Sequence, residues 1–220
     1  MAKRVFITGA SKGIGQATAY EFSRHKWGVV FTYNKDLKGA RETASECKRL
    51  GASSVEFFRL DVAKDVDIRR VAKQVRKVDV LVNNAGVLVH WGKFEKIKFE
   101  EIEKILRTNL EGMIKLTAAL LPNVKSVIVN IASRAGKFAH KNDIVYCASK
   151  FGVRGFTQGL ADEFPKLKIF AVNPGLVATD MTEFEGAAPS RVAKIIYEVV
   201  VGKRLVKSGG DVDVWKIVGG

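Results

Sequence analysis

Short apolar runs alternate along the chain with longer segments whose apolar residues recur every three or four positions. Runs without polar alternation are typical of strands buried on both faces of a parallel sheet, and the longer segments are typical of amphipathic helices. The predicted strands are 4–8, 29–33, 55–60, 78–82, 124–131, 169–172 and 212–218, and the predicted helices are 16–25, 37–50, 66–76, 99–120, 144–164 and 189–201.

The regular alternation of strand and helix predicts the fold. Parallel strands joined by right-handed helical crossovers form a doubly wound α/β sheet with helices on both faces. Ligands bind to such a sheet beyond the carboxyl ends of its strands. We therefore expect a Rossmann-like doubly wound parallel sheet, with its functional residues directly after the strands.

Length and hydropathy predict one domain that is not bound to a membrane. A chain of 220 residues with 47% apolar residues can bury a sizeable core, and no linker or repeat divides residues 1–220. No apolar run reaches the roughly 18 residues that span a bilayer. The first predicted strand follows the initial residues without a signal-peptide region, so a cytoplasmic location is expected.

Charge and cysteine content argue against several classes of partner. The formal net charge is +14, but lysines and arginines alternate with acidic residues through 35–49 and 93–107, and no basic run contains interleaved aromatics. We therefore expect no nucleic-acid partner. Cys47 and Cys147 lie far apart and outside any His/Cys cluster, so neither a metal site nor a disulfide framework is predicted.

A glycine-rich turn follows the first predicted strand. Its glycines are spaced G-x-x-x-G-x-G from Gly9 to Gly15, and a helical pattern begins directly afterwards. Backbone N–H groups at a helix start attract phosphate, and glycines let the phosphate approach closely. The turn is therefore a candidate pyrophosphate site, although glycines with this spacing also occur in ordinary tight turns.

Tyr146 and Lys150 lie four residues apart in a predicted helix, so their side chains share one face. An ammonium roughly 4 Å from a phenol would lower the pKa of the phenol by on the order of 2 to 3 units from about 10. Such a tyrosine could transfer protons near neutral pH. The alternative is a surface pair, because the same spacing is common on exposed helices.

Four motifs together resemble those of the short-chain dehydrogenase/reductase family. Its fingerprint of T-G-x-x-x-G-x-G, N-N-A-G, S and Y-x-x-x-K is similar to 8–15, 83–86, Ser133 and 146–150, with the family's thirteen-residue step from Ser133 to Tyr146. The match covers most of the chain. The resemblance implies an NAD(P)-dependent oxidoreductase that interconverts alcohols and carbonyl compounds.

The resemblance also implies catalytic roles. Tyr146 would exchange a proton with the substrate oxygen, Lys150 would lower the phenol pKa and bind the cofactor ribose, and Ser133 would orient the substrate oxygen. Asn109 would hold a water for proton relay. Ser133 could otherwise be only a turn residue at a strand end, whereas an asparagine within a helix is unfavourable and supports a special role for Asn109.

A larger set of residues is implied to bind the cofactor. Asp61 would contact the adenine, although it could instead be the N-cap of the helix near Val66. The segment after the sixth strand would hold the carboxamide. The full set is Gly9, Ser11, Lys12, Gly13, Ile14, Gly15, Asn34, Asp61, Val62, Asn84, Ala85, Gly86, Tyr146, Lys150, Pro174, Gly175, Val177 and Thr179.

The end of the second strand favours NADP over NAD. Relatives that prefer NAD carry an acid there, but 31–35 contains no carboxylate. Lys12 stands where NADP-preferring relatives often place a base, and with Asn34 or Lys35 it would attract a 2′-phosphate. Lys12 could instead be only solvated, and Asp36 lies close to the strand end.

Pocket residues and lid length bear on the substrate and on assembly. His90, Trp91, Phe138 and His140 lie where the family's pocket walls arise, and only nine residues separate Thr179 from Pro189, where relatives carry a longer lid. We expect a small-molecule carbonyl substrate and broad specificity. The alternatives are a 3-oxoacyl thioester reductase and a non-catalytic NADP-binding regulator.

Helices 99–120 and 144–164 match the family's interface pair, which predicts a homodimer or homotetramer.

Overall fold

The structure, a computed structural model, describes residues 2–218. Seven parallel strands form one sheet in the order β3-β2-β1-β4-β5-β6-β7, with helices between them, so the predicted Rossmann-like architecture is confirmed. The strands are β1 Arg4–Ile7, β2 Gly28–Tyr33, β3 Ser54–Arg59, β4 Val78–Asn83, β5 Val124–Ile131, β6 Lys168–Asn173 and β7 Asp211–Asp213. The helices are α1 Gly13–Arg24, α2 Leu37–Arg49, α3 Asp65–Gln74, α4 Phe99–Leu106, α5 Gly112–Leu120, α6 Ile144–Glu163, α7 Pro189–Val200 and α8 Val214–Val218.

Both faces of the sheet are covered, which explains the unbroken apolar runs of the strands. Successive side chains of a strand point to opposite faces. In β1, Val5 and Ile7 join the core that includes Phe22 of α1, whereas Phe6 joins the opposite core with Leu116 of α5. Because neither face meets water, alternation with polar residues is absent.

The order of the strands reverses between β1 and β4, which are neighbours in the sheet. The chain winds outward from β1 to β3, returns to β4, and then winds outward in the other direction. A crevice therefore opens beyond the carboxyl ends of β1 and β4, the usual ligand site of such sheets. Helix α1 begins at Gly13 rather than at residue 16, so its N-terminus lies directly at this crevice.

The helix predicted over 99–120 is interrupted. A π-helical segment at Arg107–Glu111 separates α4 from α5, and Asn109 is buried within it. Each π turn contains an extra residue, so the helical face shifts at that point. Helix α4 consequently packs against α6, while α5 packs against α3.

The last predicted strand, 212–218, is wrong for most of its length. Strand β7 ends at Asp213, and Val214–Val218 is the helix α8. The pairing of β7 with β6 ends at Asn173 and Asp213, because Pro174 follows β6 and has no N–H to extend the ladder. The backbone groups after Asp213 are satisfied by a helical turn instead.

Candidate active site

The glycine turn after β1 has the geometry of a phosphate cradle. Gly9 and Gly13 have positive φ angles of 66° and 61°, which favour glycine. A Cβ on Gly15 would lie 2.4 Å from the carbonyl oxygen of Gly9, so only glycine lets α1 begin this close to the turn. The first N–H groups of α1 have no partner within the helix and are available to an anion.

The segment after β4 is bound to this turn by hydrogen bonds. The Thr8 hydroxyl accepts the backbone N–H groups of Asn84 and Ala85, each at 2.9 Å. The Asn84 amide donates to the carbonyl oxygens of Thr8 at 2.8 Å and Gly9 at 3.0 Å. The Asn84 side chain therefore fixes the shape of the turn. Gly86 lies further into the crevice, where a Cβ would be 3.3 Å from Asn109 Oδ1 and 3.6 Å from Lys150 Nζ.

Ser133, Tyr146 and Lys150 converge at the carboxyl end of β5. Ser133 follows this strand by two residues, and its hydroxyl lies close enough to the Tyr146 phenol of α6 to lower the pKa of that phenol. The Lys150 ammonium lies 5.6 Å from the ring centroid of Tyr146 and donates to the carbonyl oxygen of Ile131 at 2.8 Å. The structure thus brings together the three residues at the positions that the Y-x-x-x-K pattern and the preceding serine predict.

The pKa of Tyr146 moves in the direction opposite to our expectation. Burial raises it to about 12, and the hydrogen bond with Ser133 lowers it by a smaller amount. Burial also lowers the pKa of Lys150, to about 8. The expected lowering by the ammonium is therefore wrong for this state of the protein, because desolvation of the phenol is the largest effect on its pKa. Tyr146 holds its proton at neutral pH.

Asn109 is held in place by the backbone that follows Gly86. Its Oδ1 accepts the Val87 N–H at 2.7 Å, and its Nδ2 donates to the Val87 carbonyl at 2.9 Å and lies 3.3 Å from the Ser149 hydroxyl. Asn109 therefore fixes the loop after β4 beside Lys150. The predicted role in holding a water remains a prediction.

Lys12 forms an ion pair with Asp180, and both side chains are more than half exposed. Lys12 is therefore not simply solvated, and a cofactor phosphate would have to compete with the Asp180 carboxylate. At the end of β2, Asn34 is exposed, whereas Asp36 is the N-cap of α2 and accepts the Gly39 N–H at 2.8 Å. Asp36 is thus occupied by its helix.

Asp61 is not the N-cap of α3, because Lys64 occupies that position. The Asp61 carboxylate accepts the Ala63 N–H at 3.1 Å in a local turn, and the Asp61 backbone N–H donates to Asp67 at 3.0 Å. Val62 beside it is buried. The N-cap alternative is therefore wrong, and the predicted adenine contact stays a prediction.

The segment after β6 meets the glycine turn. A Cβ on Gly13 would lie 3.3 Å from the Thr179 methyl group, so Thr179 packs directly over the turn. Val177 is buried, and the Pro174 carbonyl accepts the Arg134 N–H at 2.8 Å.

Two further predicted cofactor residues lie in or after the glycine turn: Ser11 is buried, and Ile14 packs against the core.

The residues predicted to line the substrate pocket differ in their exposure to solvent. Trp91 and Phe138 are exposed, whereas His90 is largely buried, with Nδ1 3.3 Å from the Glu101 carboxylate. Among the described residues the His90 Nε2 has no hydrogen-bond partner. His90 and Tyr146 line the same small cavity. His140 lies nearby in sequence, and its backbone N–H donates to the Cys147 thiol.

Three further observations concern metal sites, membrane spans and cysteines. Among residues 2–218, no group of three or more His, Cys, Asp or Glu side chains is arranged to hold a metal ion. Within the same part of the chain, no helix combines the length and apolarity required to cross a lipid bilayer. Cys47 and Cys147 are both buried free thiols.

The glycine turn at the start of α1 and the Ser-Tyr-Lys group, both at the carboxyl edge of a parallel sheet, place the chain in the nucleotide-binding class of Rossmann folds. The family model described as short chain dehydrogenase matches residues 3–189. The chain therefore belongs to the short-chain dehydrogenase/reductase family.

Individual relatives agree with this assignment. The chain is 39% identical to estradiol 17-beta-dehydrogenase 11 from Homo sapiens over 176 residues. This alignment covers 76% of this chain and 58% of that protein. It is 30% identical over 206 residues to an NADP-dependent 3-hydroxy acid dehydrogenase from Schizosaccharomyces pombe, covering 89% of this chain and 80% of that one. A short chain dehydrogenase from Burkholderia cenocepacia, solved in complex with NADP, matches with a TM-score of 0.88 at 25% identity, over 96% of this chain and 95% of that one.

Proposed function

We propose that this chain is an NADP-dependent oxidoreductase that interconverts alcohols with ketones or aldehydes. The observation that carries the proposal is the convergence of Ser133, Tyr146 and Lys150 beside the glycine turn, at the edge where the strand order reverses. The estradiol and 3-hydroxy acid dehydrogenases among its relatives support the same class of reaction.

The crevice is the proposed dinucleotide site. The start of α1 would hold the pyrophosphate, and Lys12 with Asn34 would meet a 2′-phosphate, since residues 31–35 contain no carboxylate and Asp36 caps α2. Lys150 would bind the ribose across the space that Gly86 leaves open. When bound, the reduced nicotinamide supplies the hydride for reduction.

The proposed proton chemistry uses the protonated form of Tyr146. Its pKa of about 12 keeps the phenol neutral at pH 7, so it can donate a proton to a carbonyl oxygen as negative charge develops there. The Ser133 hydroxyl would donate a second hydrogen bond to that oxygen. Lys150, positively charged below about pH 8, would stabilise the phenolate that remains.

The proposed substrate is a small carbonyl compound with an apolar body. The lid between Thr179 and Pro189 exposes the apolar side chains of Met181 and Phe184, and Leu176 just before it is also exposed. Apolar residues at a crevice bury apolar ligand surface rather than selecting particular polar groups. We therefore propose broad specificity among aliphatic and aromatic ketones, aldehydes and diketones.

Oxidation of NADPH with a panel of ketones, aldehydes, sugars and 3-oxoacyl thioesters tests the proposal. Turnover of simple ketones that is lost in Tyr146→Phe is the expected result. Turnover restricted to 3-oxoacyl thioesters would establish the alternative reductase. Tight NADPH binding without turnover of any carbonyl compound would identify a cofactor-binding regulator and contradict the proposed activity.

A further inference from the structure

A cluster of partly buried charges lies at the edge of the sheet, just behind the catalytic residues. Its members come from four separate elements: the turn after Ser133, helix α6, the end of β6, and β7. Their side chains are mostly shielded from solvent, with charged groups 12–22% exposed. We name it the Asp211 cluster, and it consists of Lys137, Arg154, Asn173, Asp211 and Asp213.

Arg154 lies one helical turn after Lys150, and all three of its guanidinium nitrogens donate hydrogen bonds. Its Nε and Nη2 donate to the two carboxylate oxygens of Asp211 at 2.9 and 2.7 Å. Its Nη1 donates to the carbonyl oxygen of Gly136 at 2.7 Å. This planar, three-point arrangement matches the fixed geometry of arginine and could not be reproduced by lysine.

The other members complete the cluster. Lys137 Nζ lies 2.8 Å from Asp213 and 3.2 Å from Asp211. Asn173 Nδ2 donates to both aspartates at 3.0 Å. Burial alone would raise the pKa of Asp211, but the hydrogen bonds from Arg154 and Asn173 outweigh it and lower the pKa to about 2. The cluster is therefore fully ionised at neutral pH.

The cluster is joined to the catalytic residues through the turn that Arg154 holds. Gly136 packs directly on the backbone of Lys150, since a Cβ there would lie 2.7 Å from the Lys150 carbonyl oxygen. Ser133 begins this turn, and its hydroxyl accepts the N–H of Ala135 at 3.1 Å. A shift of the Gly136 carbonyl would therefore move Ser133 relative to Tyr146.

Fold stability alone does not account for this arrangement. Replacing a buried ionic cluster by well-packed apolar residues is often neutral or stabilising, so such a cluster is weak evidence for a contribution to stability. Directional hydrogen bonds to three chain segments, in contrast, fix their relative positions. We propose that Arg154 and Asp211 are positioning residues that hold the Ser133 turn against α6, and the inference rests on the proposed oxidoreductase activity.

Arg154→Met and Asp211→Asn test the inference, with Arg204→Met as the matched control. Arg204 also forms a partly buried pair with a carboxylate, Glu198 at 3.1 Å, but this pair joins α7 to the residues after it and not to the turn after Ser133. All variants are assayed well below their melting temperatures. We expect kcat to fall by about tenfold or more in the two test variants, with NADPH affinity within about threefold of wild type, and with an intermediate kcat for Arg154→Lys.

The Arg204→Met control should lose stability without losing kcat. Values of kcat within about twofold of wild type in Arg154→Met and Asp211→Asn would overturn the inference. Losses of kcat that also occur in Arg204→Met would overturn it as well, because a general loss of stability would then explain them.

Hydrogen exchange gives a readout that needs no turnover. Amides in 133–142 should exchange faster in Arg154→Met than in wild type or Arg204→Met, because the turn loses its anchor. Unchanged exchange there would contradict the positioning role. An inactive wild-type protein with faster exchange in Arg154→Met would show that the proposed function, rather than the anchoring of the turn, is at fault.

Discussion

Lys150 is bound to the sheet at the same time as it approaches Tyr146. Its ammonium donates to the Ile131 carbonyl oxygen at 2.8 Å and lies 5.6 Å from the Tyr146 ring centroid. Ile131 ends β5 and Ser133 follows two residues later. The end of this one strand therefore positions both Lys150 and Ser133 beside the Tyr146 phenol.

Tyr146→Phe should lower turnover by at least about a hundredfold. The substitution removes the transferable proton and keeps the ring, and general acid catalysis contributes about this much. NADPH binding, measured by fluorescence titration, should persist. Wild-type turnover in a step limited by chemistry would exclude Tyr146 as the proton donor.

The pH dependence should report Lys150 rather than Tyr146. The pKa of Lys150 is lowered to about 8 and that of Tyr146 is raised to about 12, so the ammonium is lost first as the pH rises. For carbonyl reduction, kcat/KM should therefore be level below about pH 7.5 and fall above about pH 8. Lys150→Met should remove this alkaline limb from its residual activity, and a limb that persists near pH 8 in the variant would assign it to another group.

Lys12→Ala should weaken NADPH binding by roughly 10- to 100-fold and leave NADH binding nearly unchanged, because it removes a charged hydrogen bond to the 2′-phosphate. Titration of both cofactors decides this. Asp180→Asn is the matched variant: it removes the competing carboxylate, so NADPH should bind at least as tightly as in wild type. Equal losses for the two cofactors in Lys12→Ala would exclude Lys12 from phosphate recognition.

The protein should form a homodimer or homotetramer through α4 and α6. Phe151 is exposed on α6, and nothing lies within 4 Å of the Cβ positions of Gly155 and Gly159, one and two turns further on the same face. Such a flat apolar face allows close helix packing. Light scattering should give an oligomer for the wild type and a smaller mass for Gly155→Trp.

Lys73→Trp is the control for this experiment, because Lys73 is exposed on α3, away from the α4 and α6 surface. Its mass should equal that of the wild type. A monomeric wild-type protein at micromolar concentration would contradict the predicted oligomer.

Specificity constants should vary modestly across unrelated carbonyl compounds. The largely buried His90, with its unpartnered Nε2 among the described residues, is one polar group near Tyr146, and a single neutral hydrogen bond is worth about tenfold. Steady-state kinetics on paired hydroxylated and deoxy ketones measures this. A preference above about 10⁴ for one substrate over close analogues would require a pocket built for that substrate.

Local motifs made most of the candidate site predictable. Gly9 to Gly15, Ser133, Tyr146 and Lys150 act through backbone turns and helical spacing that a sequence displays directly. Arg154 and Asp211 are 57 residues apart in the chain, and no sequence pattern shows their pairing, because it depends on β7 lying beside β6. The expectation for the pKa of Tyr146 is wrong for a related reason: the sequence shows the Lys150 ammonium nearby, but it does not show how far the phenol is removed from water.

Because the π-helical segment at Arg107–Glu111 contains an extra residue, the apolar residues of α4 and those of α5 do not follow one continuous helical repeat. Residues before it face α6 and residues after it face α3, so no single hydrophobic stripe runs through both halves. A π turn takes up one extra residue, so deleting one residue here would let an uninterrupted α-helix form with its two halves in nearly the same relative orientation. Such a deletion would remove the widened turn that carries Asn109 to Val87, so a protein shortened by one residue here should still fold but lose the anchor of the loop after β4.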